Sequence, residues 1–393
     1  MKLSTITIES ILGRGKNNFD LIRLVAALAV IFAHSYELFP KDINIARLGN
    51  AGTWAVNIFF FLSGIFITAS FNNSTSKLRF VVMRVSRIWP ALIVCLFLTA
   101  FVLGPIVTTL DAATYLAHPE TMSYFLTNLY LSDISFILPG VFKSTHYPSV
   151  NGSLWTLAPE VRCYLFVFIA GLLGMLSSRR SINLTCLFVV LIALYYPEFV
   201  PYFRGKNFIR VGGCFLIGMF AYANRDLIRL DWKLAIGLFA VYAIFRKTSY
   251  GDVIFYVAVM YLVLVIAAFK PLERIKLAGD YSYGVYIYGF VVQETVNYSF
   301  PHLRSTPSML ITMPVTLIFA IISWNLIEKP SLALGRSLAN STDAIKDRTT
   351  IMWSMFSKYG KLITSDTQPQ CLQKCLPPVE EQSTEKLSIG ERS

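Results

Sequence analysis

Long apolar stretches alternate with short polar connections along most of the chain. The first stretch, Phe19–Phe39, contains few polar side chains and is close to the roughly 20 residues that a helix needs to cross a bilayer. The same measure predicts nine further spans, with similar apolar content. The ten predicted spans are approximately residues 20–39, 53–71, 86–107, 154–176, 183–200, 207–223, 232–246, 252–269, 281–298 and 309–328. The pattern therefore predicts an all-α integral membrane protein with about ten transmembrane helices.

Composition supports a membrane protein over a soluble one. Only 15% of the 393 residues are charged and 55% are hydrophobic, whereas a soluble domain has about 25% charged residues. The net charge of +12 is spread over the connections between apolar stretches rather than gathered in one patch. This distribution favours membrane orientation over nucleic-acid binding. The six cysteines show no spacing that indicates a metal site.

The Lys and Arg residues of the connections predict the orientation. If the N-terminus lies inside, the inner connections before the tail carry fifteen of these residues and the outer connections carry eight. Because cytoplasmic loops are enriched in Lys and Arg, both termini are predicted to be cytoplasmic. The long connection 108–153 then lies outside, and its apolar part Thr121–Leu131 predicts a short helix resting on the membrane.

Three regions follow from this pattern. Residues 1–19 are predicted to be a cytoplasmic N-terminal segment, and residues 20–330 the transmembrane domain. Residues 331–393 are predicted to be a cytoplasmic tail. Within the tail, residues 351–363 have the spacing of an amphipathic interfacial helix, and residues 365–393 have the polar composition of a disordered segment.

The first span carries two ionisable side chains on one face. Arg23 and His34 are separated by eleven residues, almost three helical turns, or roughly 16 Å along the axis. Ionisable residues inside a bilayer are costly and are functional candidates by default. The alternative, that Arg23 reaches the headgroups and His34 is a packing residue, remains open from these two residues alone.

Two further spans add charged candidates. Arg84 and Arg87 share a helix face at the inner start of the third span, where guanidinium groups suit phosphate recognition. The alternative is that Arg84 and Arg87 only reflect the usual enrichment of Lys and Arg on the cytoplasmic side. Glu160 lies several residues into the fourth span, at an expected depth similar to that of His34. A pair of His34 and Glu160 would orient the imidazole as a general base, unless Arg162 neutralises Glu160 instead.

Small residues in the apolar stretches predict close helix packing rather than chemistry. Ser63 and Gly64 lie in FFFLSGIF, and no base is adjacent to the serine hydroxyl in sequence. Gly212, Gly213 and Gly218 lie in the sixth span. Small residues of this kind allow two helix backbones to approach each other.

Taken in order, these motifs resemble the acyltransferase-3 family of membrane O-acyltransferases, particularly the exopolysaccharide and nodulation-factor O-acetyltransferases. The matching elements are Arg23 with His34, NIFFFLSGIFI (Asn57–Ile67), RVSRIWP (Arg84–Pro90), SLWTLAPE (Ser153–Glu160), GDYSYGVYIYGF (Gly279–Phe290) and IEKP (Ile327–Pro330). They cover roughly residues 19–330. One departure is Gly289, which stands where many family members have histidine, and it places more weight on His34.

The resemblance implies transfer of an acyl group, usually acetyl, from cytoplasmic acyl-CoA to a carbohydrate hydroxyl, without a metal. The expected geometry of the charged residues adds their roles: Arg23, Arg84 and Arg87 would hold the CoA phosphates, and His34, oriented by Glu160, would be the general base. The aromatic side chains Trp155, Tyr286 and Tyr288 are expected to contact the carbohydrate. The expected location is the bacterial inner membrane, with polysaccharide-synthesis proteins as candidate partners. A glycan or lipid exporter and a peptidoglycan acyltransferase remain alternatives.

Overall fold

The computed structural model describes residues 6–13, 17–38, 50–196 and 206–343. Helices are the only extended regular elements in these ranges, because the β pairing consists of two isolated bridges, Thr7 with Arg229 and Thr108 with Val141. The all-α prediction is confirmed. The predicted amphipathic segment at 351–363 and the predicted disordered segment at 365–393 lie outside the described residues.

The helices follow one another through short connections. In chain order they are α1 (Ile8–Ile11), α2 (Phe19–Leu38), α3 (Asn50–Asn72), α4 (Lys77–Phe97), α5 (Gly104–Val107), α6 (Ala112–Ala117), α7 (Pro119–Tyr130), α8 (Leu157–Leu172), α9 (Arg179–Tyr195), α10 (Lys206–Ala223), α11 (Trp232–Phe245), α12 (Gly251–Ala267), α13 (Ser282–Ser299) and α14 (Ser305–Ser323). Each predicted span coincides with one of these helices or with a run of them.

Five helical ranges are long and apolar enough to cross a membrane. They are Phe19–Leu38, Ala51–Asn72, Lys77–Val107, Gly152–Leu172 and Ser305–Asp343. Shorter apolar helices include Ile209–Ala223, Trp232–Phe245 and Gly251–Ala267. The number of crossings and the side of each terminus stay predictions.

Two of the long helices contain a π-helical segment. α4 continues through Leu98–Leu103 into α5, and α14 continues through Trp324–Glu328 up to Asp343. Such segments rotate the side chains that follow them and are common at functional sites. The start of α4 is stabilised by Ser76, whose hydroxyl accepts a hydrogen bond from the Arg79 backbone N–H at 3.1 Å.

Glycines allow a close backbone contact between α3 and α10. A Cβ atom on Gly64 would lie 2.1 Å from the Phe215 carbonyl oxygen, and one on Gly218 would lie 2.1 Å from the Phe61 carbonyl oxygen. The predicted packing role is therefore confirmed for Gly64 and Gly218. It is wrong for Gly213, around which a Cβ would meet open space.

α13 runs parallel to α2 and is held to it by a polar contact. The Gln293 side-chain amide donates to the Ile31 carbonyl at 2.8 Å and to the Ser35 hydroxyl at 2.9 Å. Nearer the start of α13, Gly289 leaves room for Ile31, whose Cγ1 would lie 2.9 Å from a Cβ at that position. The histidine expected at this position from the family pattern would not fit against α2 without a shift.

The long connection 108–153 contains the predicted short helix, here α7. This helix lies along α4 in the opposite direction, with Phe125 against Phe101 at a ring-centroid distance of 5.6 Å. Near its end, the Leu129 carbonyl accepts a hydrogen bond from the Trp89 indole at 3.1 Å. α7 therefore packs along the length of a predicted span, which differs from a helix that only rests on the membrane surface.

Candidate active site

A cavity of about 790 Å³ lies between α2, α3, α4, α8, the start of α13 and the helix that follows α14. Its wall combines charged groups with aromatic and aliphatic side chains. The basic residues in the wall are Arg23, Arg84, Arg87, Lys329 and Arg336, and the acidic residues are Asp20, Glu160 and Asp280. All three arginines predicted to bind phosphate therefore line one cavity together with Glu160.

Arg87 makes two ion pairs that join separate helices. Its Nη2 lies 2.6 Å from Asp280 Oδ2, and its Nη1 lies 3.3 Å from Glu328 Oε2. Each carboxylate accepts a second hydrogen bond, from Ser282 at 2.6 Å and from Ser323 at 3.1 Å. Because two carboxylates surround this guanidinium, its positive charge is compensated within the protein.

Arg23 lies beside the same carboxylate. Its Nη1 is 3.7 Å from Asp280 Oδ2, and its guanidinium lies 4.8 Å from the centre of the Phe66 ring. Burial acts to raise the pKa of Asp280, but the positive charges of Arg87 and Arg23 outweigh it, so the pKa is lowered. Asp280 is therefore held as the charged partner of two arginines.

Arg84 differs from the other two arginines. Its guanidinium lies 5.8 Å from the centre of the Tyr164 ring, and its Nε is buried without a hydrogen-bond partner in the part of the chain that the structure describes. The Tyr164 hydroxyl donates a hydrogen bond to Glu160. Glu160 thus orients the aromatic ring on which Arg84 lies.

His34 is not brought together with Glu160. Its Nδ1 lies 3.1 Å from Glu37 Oε2, and its ring meets Phe290 edge-to-face at 5.1 Å. Within the described ranges, no hydrogen bond or ion pair joins His34 to Glu160, and His34 is not part of the cavity wall.

The residues that lead into α8 explain why Glu160 and His34 lie apart. Gly152 packs against Phe290, the ring that also contacts His34. Glu160 lies eight residues further along a 3₁₀ turn and α8, or roughly 12 Å at the α-helical rise. The expected match in depth between Glu160 and His34 is therefore not observed. Arg162, the alternative partner, donates to the Ser132 carbonyl at 3.0 Å.

The three aromatic candidates are placed differently. Tyr286 lines the cavity, where its hydroxyl lies 2.6 Å from Thr156 Oγ1 and its ring contacts Phe59. Tyr288 stacks against Phe319 at 5.9 Å, and Trp155 packs against the hydrophobic core. Neither of these two residues belongs to the cavity wall.

Several wall residues were not selected from the sequence. Asp280 in the wall, and Glu328, which pairs with the wall residue Arg87, follow from the same reasoning as Glu160, because each is an ionisable residue at the end of a predicted span. Ser63 faces the cavity, although the sequence interpretation assigned it to helix packing together with Gly64. The two residues are adjacent on α3 and therefore point in different directions.

The comparisons with known proteins identify the family of the chain. A family model described as an acyltransferase domain, that of acyltransferase family 3, matches residues 16–325. An O-acetyl transferase of Shigella phage Sf6 is 30% identical over 346 residues, covering 80% of this chain and 95% of the relative. Nodulation protein 10 of Rhizobium leguminosarum bv. viciae is 27% identical, covering 82% and 95%.

A third relative is longer than this chain. A putative peptidoglycan O-acetyltransferase of Bacillus subtilis (strain 168) is 26% identical over 367 residues, covering 80% of this chain and 55% of the relative. No solved structure matches the chain. The chain belongs to acyltransferase family 3 and is a multi-pass membrane O-acyltransferase.

Proposed function

We propose that the protein transfers an acyl group, in the simplest case acetyl, from acyl-CoA to a hydroxyl of a cell-surface or lipid-linked carbohydrate. The observation that carries the proposal is the cavity, whose wall contains Arg23, Arg84 and Arg87 together with Tyr286. Phe66, which contacts Arg23, and Phe59, which contacts Tyr286, are seven residues apart on α3, so Arg23 and Tyr286 are separated by roughly 10 Å along that helix. A charged end and a mainly apolar end suit a donor whose phosphates and acyl thioester are joined by a long, thin arm.

The reactive end of the donor would lie near Tyr286. Phe290 is one helical turn beyond Tyr286 on α13 and contacts His34. His34 is therefore about one helical turn from the end of the cavity that Tyr286 lines. This separation is short enough for an acceptor hydroxyl on the His34 side to meet a thioester on the cavity side when the Tyr286–Thr156 contact opens.

In the proposed reaction His34 is the general base. Glu37 occupies its Nδ1, which leaves Nε2 for the acceptor hydroxyl. As the hydroxyl proton passes to Nε2, the oxygen attacks the thioester carbonyl carbon. The C–O bond of the ester forms, the C–S bond breaks, and the CoA thiolate takes the proton back from His34. Glu160 would act from the donor side by orienting Tyr164 and Arg84.

The acceptor class is proposed from the family resemblance, and two relatives support it. The phage relative is an O-acetyl transferase and the rhizobial relative is a nodulation protein. We place this chain with carbohydrate acylation in the bacterial inner membrane, beside polysaccharide-synthesis proteins. Acylation of peptidoglycan is the second candidate, since one relative is a putative peptidoglycan O-acetyltransferase. Family membership favours transfer over glycan or lipid export.

The test measures acceptor-dependent release of free CoA by the purified full-length protein in lipid nanodiscs supplied with acetyl-CoA. Mass spectrometry of surface glycans from cells with and without the gene identifies the acceptor. His34→Ala protein is the matched control for spontaneous hydrolysis. The proposal requires release above that control and a loss of glycan acyl groups in cells without the gene. Peptidoglycan as the only acylated product would select the second candidate. Equal release by the control would reject His34 as the base, and equal release with and without an acceptor would reject acyl transfer.

A further inference from the structure

Two further basic residues of the cavity wall, Lys329 within the IEKP element and Arg336 beyond it, follow the last residue that the family model matches. The match ends at residue 325, whereas Lys329 and Arg336 line the same cavity as Arg23 and Arg84. They are seven residues apart on one continuous helix, which is about two turns, so both lie on the same helix face. Both side chains are exposed, so they can adjust to a ligand that binds at the mouth of the cavity.

Close contacts with α4 hold this helix in place. A Cβ on Gly335 would lie 2.3 Å from Ser86 Oγ, so the two helices touch at this glycine. One turn and a half further, Asn340 Oδ1 accepts a hydrogen bond from Arg79 Nη1 at 2.6 Å. Together with the Arg87–Glu328 ion pair, these contacts fix the helix against α4 on both sides of Arg336.

The basic residues of the cavity wall fall into two groups: those that lie close to a carboxylate and those that form no ion pair in the described residues. Arg87 is paired with Asp280 and Glu328, and Arg23 lies beside Asp280. By contrast, the described part of the protein offers no ion pair to Arg84, Lys329 or Arg336. A polyanion gains most from charges that are not already held in a close ion pair with a protein carboxylate. Affinity for phosphate is therefore expected to come mainly from these three residues.

We propose that Lys329 and Arg336 bind phosphate groups of the 3′-phosphoadenosine diphosphate end of acyl-CoA, beside Arg84. The proposal rests on the proposed function, because it assigns additional residues to the donor site of that reaction. It also extends this site past the family match into the helix that continues α14. The nucleotide would then lie at the mouth of the cavity, and the pantetheine arm would extend from it into the cavity.

The experiment compares donors with and without phosphate. Full-length protein carrying Lys329→Gln and Arg336→Gln is tested for CoA binding by calorimetry and for turnover of acetyl-CoA and acetyl-pantetheine. The Kd for CoA is expected to rise on the order of tenfold, since each exposed charge contributes a few-fold in affinity. The ratio of kcat/KM for acetyl-CoA to that for acetyl-pantetheine should fall by a similar factor. Dephospho-CoA distinguishes the 3′-phosphate from the diphosphate.

The matched control carries Arg274→Gln and Lys276→Gln, which remove the same charge from exposed positions outside the cavity wall. Its affinity for CoA should stay close to that of the unaltered protein. Equal losses in both double variants, or no loss in either, would overturn the assignment of Lys329 and Arg336. Absence of CoA binding and acetyl transfer in the unaltered protein is a different outcome, which would reject the proposed function. Lys329→Arg with Arg336→Lys keeps both charges and should retain affinity.

Discussion

Arg87 joins three parts of the protein through one side chain. Its guanidinium bridges α4 to Asp280 before α13 and to Glu328 at the end of the π-helical segment. A buried charge is tolerated only when its partners are close and hydrogen-bonded, and both carboxylates have a serine hydroxyl as a further donor. Arg87 therefore has a structural role, and the phosphate binding expected from the sequence stays a prediction.

This arrangement predicts that Arg87→Gln mainly reduces stability. The substitution leaves two buried carboxylates without their cation, a loss of about 3 kcal/mol for a broken buried pair. Thermal unfolding of the protein in detergent would measure it. Adding Asp280→Asn and Glu328→Gln to Arg87→Gln should restore much of the lost stability, because the unpaired charges are then gone. No recovery in the triple variant would contradict the charge argument.

Arg84 gives the opposite expectation. Because it forms no ion pair in the described part of the chain, Arg84→Gln should change stability little and weaken acyl-CoA binding by about tenfold, the loss of one charge-assisted hydrogen bond. Titration of CoA at several salt concentrations would show a smaller salt dependence for the variant. Unchanged affinity would assign Arg84 to membrane orientation only.

The distance between His34 and Glu160 determines how the effects of substituting the two residues should combine. His34→Ala should still bind acyl-CoA but lose turnover by roughly 10²–10⁴-fold, as expected for a missing general base. Glu160 is bonded to Tyr164 and not to His34, so the rate losses of His34→Ala and Glu160→Gln should combine nearly additively in free energy. Glu37→Gln, next to the imidazole, should instead show strong non-additivity with His34→Ala. Steady-state kinetics of single and double variants would measure both couplings.

At the scale of elements, the sequence predicts helix positions well and contacts between helices poorly. Apolar length alone places each of the ten predicted spans on a helix. Depth along neighbouring helices depends on how their ends are built. The 3₁₀ turn Gly152–Thr156 and the approach of Gly152 to Phe290 set the position of Glu160, and no periodic pattern reports them. Small residues show a possible close contact without showing which of them faces a neighbour.

Two glycines of this kind allow a matched test. Gly64→Ala places a methyl group 2.1 Å from the Phe215 carbonyl, so α3 and α10 must separate and the free energy of unfolding should fall. Gly213→Ala meets open space, and replacing a helical glycine there should stabilise the protein by roughly 0.5–1 kcal/mol. Thermal unfolding of both variants would decide. A larger loss for Gly213→Ala than for Gly64→Ala would contradict the packing between α3 and α10.

At the scale of the whole molecule, the charged end of the cavity lies where the predicted orientation requires it. Arg23 lies near the start of α2 and Arg84 near the start of α4, the ends that the distribution of Lys and Arg places in the cytoplasm. Acyl-CoA is made in the cytoplasm and does not cross a bilayer. The orientation of the chain therefore decides whether the cavity can serve as the donor site.

Cysteine labelling in intact cells tests this orientation. Cys95, Cys163, Cys186 and Cys214 are buried and should react slowly. In protein whose tail cysteines Cys371 and Cys375 are replaced by serine, a membrane-impermeant maleimide should label Lys143→Cys in the connection 108–153 in intact cells, whereas Lys276→Cys before α13 should label only after the membrane is opened. Both side chains are exposed, so access rather than burial sets the difference. Labelling of Lys276→Cys in intact cells would place the cavity mouth outside the cell, where acyl-CoA is absent, and would exclude a cytoplasmic donor.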